Sequence, residues 1–370
     1  MVKDVRIGKL MRSHLAGFVG YAASTPHDSL EGKVEVSVEN IIKLDANENP
    51  YGCSPRVQSA LASYPYFNIY PDAGQAELRK LLQEYTGVGA EQIVAGAGSD
   101  QLIDLVFKLF VGPGDEVINC VPTFAMFRFF TALYGGTPVD VPRDENFSVD
   151  VKAVKTAITE KTKLILLANP NNPTGTVMIE QDIREILDTG LPVIVDEAYY
   201  EFTGQTTVPL VDQYMNLMVL RTFSKWAGLA GLRVGYGIFP PEIACYLLNI
   251  KSPYNVNMAA IVAVKESLKD IGYLQNKVEA IIAERVRLYE ELKKLKFLKP
   301  FPSQANFIFC SVLNGQASEL QQKLQTKGIL VRYFDQPLLK NSIRISVGKP
   351  EHTDALIKTL QEVGGETSGY

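Results

Sequence analysis

Lys163-Leu-Ile-Leu-Leu-Ala168-Asn169-Pro-Asn-Asn172-Pro-Thr-Gly175 is an unbroken apolar run that ends in an Asn/Pro/Gly turn. A strand with one solvated face alternates apolar and polar residues. A run without alternation reads as a strand covered on both faces, as in parallel sheets. Leu191-Pro-Val-Ile-Val195 repeats the pattern, and Met218-Val-Leu220 is a shorter copy. Helical patterns, Asp100 to Phe110 and Ile179 to Leu187, separate such runs. The alternation predicts an α/β domain with a mostly parallel sheet. Further on, a long helical region spans about Met258 to Lys294 and breaks near Asp270 to Tyr273. After it come alternating strands, Asn306 to Cys310 and Ser342 to Val347, with helices at Gln316 to Lys327 and Thr353 to Val363. Segregated helices and strands predict a second, smaller α+β domain. No Gly/Ser linker intervenes, so the domain change is expected to run through the long helical region.

A chain of 370 residues exceeds one ordinary core and suggests two domains. Its net charge of −4 argues against a nucleic-acid surface, which needs a basic excess. The four cysteines (Cys53, Cys120, Cys245, Cys310) are far apart, and neither CxxC nor HExxH spacing occurs. Neither zinc nor a disulfide framework is indicated, and the cysteines read as buried thiols of a cytoplasmic protein. Lys3, Arg6, Lys9 and Arg12 precede a mildly apolar Leu15–Ala23, which loosely imitates a signal peptide. Asp4, Gly17 and Gly20 interrupt that pattern, so an N-terminal arm is expected. No apolar run approaches the ~20 residues needed to span a bilayer.

Six segments carry chemistry. Arg221-Thr-Phe-Ser-Lys225-Trp-Ala-Gly-Leu-Ala-Gly-Leu-Arg233 places a lysine among small and hydroxylic residues after a short strand. An amine withdrawn from water loses its charge and attacks an aldehyde, although most lysines are simply solvated. Thr222, Ser224 and Arg233 offer hydroxyls and a guanidinium to a phosphate. Gly96-Ala-Gly98-Ser99-Asp100 is a glycine turn opening a helix, a site for an anion, with Asp100 readable as a plain N-cap. Gln101 stands where a dinucleotide fingerprint needs glycine, so a phosphate monoester fits better. Asn169 to Gly175 offers asparagine amides to a ring oxygen, or is a generic turn. Asp196, at the end of Leu191 to Val195, lies where open α/β sheets place ligands. A carboxylate there pairs with a protonated pyridine nitrogen and makes the ring an electron sink. Nearby Tyr199 can hydrogen-bond a phenolate oxygen, and Phe124, just past the strand Glu116 to Cys120, can stack on a planar ring or pack as core. In Ser342-Ile-Arg344-Ile-Ser-Val347, Arg344 faces away from its isoleucine neighbours, open to solvent or suited to gripping a carboxylate.

In this order the segments resemble the fold-type I aminotransferases dependent on pyridoxal 5′-phosphate (PLP), from Leu44-Asp-Ala-Asn-Glu-Asn-Pro-Tyr-Gly52 to Arg344. Within them the chain is similar to the histidinol-phosphate aminotransferases. That likeness rests on the Leu44–Gly52 loop, Phe67-Asn-Ile-Tyr70-Pro-Asp72, Gly96–Asp100, the Lys225 segment and Arg12-Ser-His-Leu-Ala-Gly-Phe-Val-Gly-Tyr21. Gly20 replaces the proline usual before that tyrosine. The resemblance implies a large PLP domain (46–275) with a mostly parallel seven-stranded sheet between helices. It also implies a small α+β domain (276–370) and an arm (1–45) joined to the latter. Further implications are that Lys225 carries PLP as a Schiff base, Asp196 holds its pyridine nitrogen, and Asn172 and Tyr199 meet its ring oxygen. Phe124 would stack on the ring. Ser99 and Asp100, through backbone N–H groups, would bind the phosphate with Thr222, Ser224, Arg233 and Tyr70 of the partner in a homodimer. Arg344, Arg332 and Tyr21 would contact substrate. The implied reaction, in histidine biosynthesis, passes an amino group between L-histidinol phosphate and 2-oxoglutarate. An aromatic or broad-specificity aminotransferase and a phospho-amino-acid PLP decarboxylase share these motifs. A PLP-binding regulator is disfavoured by the short segment before Leu44.

Overall fold

The computed structural model describes residues 7–20 and 34–365, so Tyr21 lies outside the described residues. After short 3-10 turns at Ile7–Leu10, Ser13–Leu15 and Val38–Asn40 come β1 (Ile42–Leu44), α1 (Pro55–Ser63) and α2 (Ala76–Thr86), and then the large domain. There β2 (Ile93–Gly96), α3 (Ser99–Phe110), β3 (Glu116–Val121), α4 (Ala125–Leu133) and β4 (Thr137–Pro142) alternate. They are followed by α5 (Val151–Thr156), β5 (Thr162–Ala168), α6 (Glu180–Leu187), β6 (Val193–Asp196), β7 (Leu217–Thr222) and β8 (Gly235–Ile238). The resulting seven-stranded sheet has the order β2-β8-β7-β6-β5-β3-β4. Strands β4, β3, β5, β6 and β7 are parallel, while β8 runs antiparallel to both β7 and β2. Two successive antiparallel pairings leave β2 pointing the same way as the parallel set.

The unbroken apolar runs have the expected cause. In β5, Ile165 and Leu167 enter one core layer while Leu164, Leu166 and Ala168 enter the other. Val193 and Val195 of β6 oppose Ile194 in the same way, as do Leu217 and Val219 of β7 against Met218 and Leu220. With both faces covered, nothing selects for polar residues at alternate positions.

Next come α7 (Pro241–Ile250), α8 (Met258–Lys269) and α9 (Ile271–Lys293), the last two divided at Asp270. Helix α9 buries Leu274, Val278, Ile281, Leu288 and Leu292, a stripe at helical spacing. The remaining elements are β9 (Leu298–Pro300), β10 (Phe307–Val312), α10 (Ala317–Thr326), β11 (Ile329–Tyr333), β12 (Ser342–Ser346) and α11 (Pro350–Gly365). A second sheet has the order β1-β11-β12-β10-β9, antiparallel except for β1 on β11. Strand β1 thus belongs to a sheet whose other strands come from the end of the chain, and the Asp45–Asn49 loop must run from one sheet to the other.

Two expectations need correction. Cys120 and Cys310 are buried, but Cys53 is only half-buried and Cys245 is exposed on α7, all four being free thiols. Strand β8, just past Arg233, was not expected, because Gly235-Tyr-Gly237 carries little of the apolar pattern that marks a strand.

Candidate active site

Strands β2, β3, β5, β6 and β7 all end at one edge of the large sheet, and each is followed by one of the segments singled out by sequence. This is where open α/β sheets bind ligands. Asp196 closes β6 at 5% exposure, and the N–H of Ala198 donates to its Oδ1 at 3.0 Å. Burial pushes its carboxyl up to about 7, against the pull of the Ala198 bond. A cation placed against it would restore the carboxylate.

Lys225 lies three residues past β7, and its Nζ donates to the carbonyl of Ala46 at 3.1 Å. Burial, and then the charge of Arg344, pull the amine down to about 8. Its flanks are held. Trp226 is 1% exposed and stacked on Tyr85 with centroids 5.7 Å apart, while Asn49 Nδ2 donates to the Trp226 carbonyl at 2.8 Å.

Three segments converge at the N-terminus of α3. Gly98, with φ +80°, caps the helix without a side chain, and a Cβ there would stand 2.5 Å from Arg233 Nη2. A Cβ on Gly235 would meet the backbone nitrogen of Ser99 at 2.5 Å. Arg233 Nη2 donates to Asp100 Oδ2 at 2.8 Å, and Thr222 Oγ1 to Ser224 Oγ at 2.9 Å. Helix-end N–H groups, two hydroxyls and a guanidinium form a donor set suited to a dianion.

Within the turn after β5, the two middle asparagines divide their work. Asn171 is fully buried and shapes the loop, accepting from Thr123 Oγ1 at 2.7 Å and donating to the Pro122 carbonyl at 3.0 Å. Asn172 Oδ1 accepts from Arg344 Nη1 at 2.6 Å, which turns its Nδ2 donor the other way. Tyr199 is buried, its hydroxyl accepting from Asn47 Nδ2 at 2.9 Å and its ring set edge-on to Phe307. Phe124 is the N-cap residue of α4, its ring edge-on to Phe127.

Arg344 comes from the small sheet and is buried, donating through Nη2 to the Asp45 carbonyl at 2.6 Å. Arg332 is its cross-strand partner on β11, its guanidinium 5.9 Å from the Phe334 ring centre. The structure thus gathers Lys225, Asp196, Tyr199, Asn172, Arg344, Ser99, Asp100, Thr222, Ser224 and Arg233 at one edge of the large sheet. Tyr70 stands apart, 77% exposed and stacked on Tyr254 at 4.4 Å.

Several supports went unread in the sequence. Gln75 forms a reciprocal pair with the backbone of Ala95, at 2.9 and 3.0 Å, and reaches Asn255 Oδ1 at 2.8 Å. Asn255 in turn donates to Gln101 Oε1 at 2.8 Å, which also accepts from the N–H of Ala97 at 2.7 Å. This amide chain braces the glycine turn. Behind the site, Glu197 (fully buried) accepts from Arg221 Nε at 3.0 Å, from the Thr207 N–H at 2.6 Å and from both threonine hydroxyls of Thr206 and Thr207. Glu197 adjoins Asp196 and Arg221 adjoins Thr222, so the pair clamps the ends of β6 and β7 together. Local composition carries no signal for such partners, which meet only through the topology.

The aminotransferase class I and II family matches residues 39–361, and the chain belongs to that family. A histidinol-phosphate aminotransferase of Dehalococcoides mccartyi is 57% identical over 356 residues, covering 96% of this chain and 98% of its own. The chloroplastic histidinol-phosphate aminotransferase of Nicotiana plumbaginifolia is 45% identical, covering 95% of this chain and 86% of its own. Among solved structures, the Sinorhizobium meliloti histidinol-phosphate aminotransferase in complex with pyridoxal-5′-phosphate superposes with a TM-score of 0.85. It is 26% identical and covers 93% of this chain and 96% of its own.

The Lys225 environment predicts a reactivity profile. With an amine at about 8 rather than the usual 10.5, acylation of Lys225 by a small amine-selective reagent should be half-maximal near pH 8 and level off above about pH 9, read by peptide mass spectrometry. A rate still climbing toward pH 10 would contradict the burial of the amine.

Proposed function

We propose that this chain is a PLP-dependent aminotransferase acting on L-histidinol phosphate and 2-oxoglutarate, in histidine biosynthesis. The observation that carries this reading is the convergence, at one sheet edge, of a lysine with a lowered pKa, a buried acid and a phosphate-donor cup, in a chain whose relatives bear that enzyme's name. The residues fit the cofactor: without a Cβ, Gly98 and Gly235 let the Arg233 guanidinium and the Ser99 backbone come close together, and the donors so gathered suit a phosphate monoester.

When bound, PLP supplies an aldehyde for the amine and a ring that accepts electrons from the substrate carbon. Lys225 Nζ would hold the cofactor through its aldehyde, with loss of water, and as a free amine would be the group that moves a proton between substrate atoms. Asp196 would hold the pyridine nitrogen, the proton residing on the ring nitrogen and the buried acid paired with it as a carboxylate. Asn172 Nδ2, turned from Arg344, and the Tyr199 hydroxyl serve the ring oxygen, with Phe124 on the ring face. Ser99 and Asp100 N–H groups, Thr222, Ser224 and Arg233 hold the phosphate. Arg344 and Arg332, side by side on β12 and β11, grip the anionic end of either substrate, a phosphate or a carboxylate. Tyr21 belongs to the same reading as a substrate contact.

The same reading makes the protein a cytoplasmic homodimer. Tyr66, Phe67, Ile69 and Tyr70 are each more than half exposed, and Tyr254 nearly so, an apolar patch suited to a second copy. Tyr70 then reaches the partner's phosphate site. The same reading assigns residues 1–45 to an arm contributing to the small domain (276–370) and 46–275 to PLP binding, while His14, at the Leu133 carbonyl, and Phe18, edge-on to Phe129, set the first described part of the arm on α4 of the large domain. The pairing of β1 with β11 supports that division.

With 2-oxoglutarate as acceptor, kcat/KM for L-histidinol phosphate should exceed that for L-phenylalanine or L-tyrosine by roughly a hundredfold or more, because a carboxylate, shorter and with fewer acceptor oxygens than the phosphate ester, fills the arginine site less completely. Equal rates would make the enzyme a broad-specificity aminotransferase, and carbon dioxide release without an oxoacid a decarboxylase. For the dimer, Tyr70→Phe and Lys225→Ala subunits are mixed. Sites shared between subunits predict partial recovery of activity in the heterodimers. Activity no higher than that of Tyr70→Phe subunits alone would show that each site is self-contained.

A further inference from the structure

Asn47 sits in the middle of the loop that passes from β1 to the large domain. It is 1% exposed and has a left-handed backbone, φ 55°. Its N–H donates to Ser346 Oγ at 2.8 Å, and Ser346 Oγ–H donates back to Asn47 Oδ1 at 3.0 Å. Asn306 Nδ2 holds the Asn47 carbonyl at 3.0 Å. A serine hydroxyl has one hydrogen, and here the Asn47 oxygen receives it. The oxygen end of the amide is therefore fixed toward β12 and the nitrogen end toward the large domain, where Nδ2 donates to Tyr199 Oη at 2.9 Å. A phenol also has one hydrogen. With an N–H arriving from Asn47, the Tyr199 hydrogen points away from Asn47.

We infer that Asn47 is a positioning residue: it directs the Tyr199 hydroxyl toward the cofactor's ring oxygen and ties that direction to β12. Ser346 and Arg344 are two residues apart on that strand and share a face. Both address the same loop, Arg344 at the Asp45 carbonyl and Ser346 at Asn47. The anion-gripping strand and the ring-oxygen donor are thus linked through one buried asparagine. The inference rests on the reading of Tyr199 as a ring-oxygen donor.

The test uses the PLP-loaded enzyme and the pH midpoint of its visible absorption change. A donor at the ring oxygen stabilises the anionic oxygen, so losing that donor raises the midpoint. In Asn47→Asp both side-chain oxygens accept, which draws the Tyr199 hydrogen back onto residue 47. Asn47→Gly keeps the left-handed backbone but removes the amide. Tyr199→Phe and Asn47→Asp should each raise the midpoint by about one pH unit, the scale of one hydrogen bond to a charged group. Asn47→Gly should raise it less, and the Tyr199→Phe/Asn47→Asp double variant no more than Tyr199→Phe alone. A midpoint unmoved in Asn47→Asp beside a raised one in Tyr199→Phe overturns the role of Asn47, as does an additive shift in the double variant. A midpoint unmoved in Tyr199→Phe overturns the reading of Tyr199, and the inference with it.

Discussion

Withholding water from one amine and one carboxyl at the same edge of a sheet is the constraint on which the site depends. Burial lowers Lys225 to about 8 and raises Asp196 to about 7, so each group moves toward its uncharged form. The amine becomes a nucleophile near neutral pH, and the acid becomes a seat for a cation. Access of water is limited from two sides, with Lys225 itself half-buried. The large sheet supplies the strand ends, and the small sheet closes over them through Arg344 and the loop that carries the Ala46 and Asp45 carbonyls. The two domains are therefore both parts of one site.

Such a site needs rigid backing. The Glu197–Arg221 pair lies almost wholly out of water, where two ions are tolerated only with their remaining hydrogen bonds filled. Glu197 meets that condition with two threonines and a backbone N–H, and Arg221 with Thr206 and the face of Tyr200. The Gln75–Asn255–Gln101 chain does the same for the glycine turn, with neutral amides in place of charges. In both cases the groups touching the ligand site are held by groups that do not touch it, which keeps the donors pointed before any ligand arrives.

Much of this was legible in the sequence. The run from Lys163 to Ala168 announced a strand covered on both faces, and the break at Asp270 divided the two helices where expected. Lys225, Asp196 and Arg344 could be picked out because each is a charged residue set beside an apolar strand or small-residue loop, where charge needs a reason. Strand β1 was not legible. It has three residues, and its partner β11 lies near the other end of the chain. With β1 unplaced, Asn47 and Asn49 had no assignable role, since their partners, Ser346 and Trp226, are contributed by distant segments. Gln75 and Glu197 were missed for the same reason: a polar residue is marked as buried only by the neighbours that the fold brings to it.

The central claim is that Lys225, and no other of the lysines, carries the cofactor. Borohydride reduction of the purified PLP-loaded protein, followed by peptide mapping, tests it most directly. The account predicts one phosphopyridoxyl adduct per chain, on the peptide containing Lys225. An adduct confined to another lysine, or none on a protein that retains bound PLP, would contradict it.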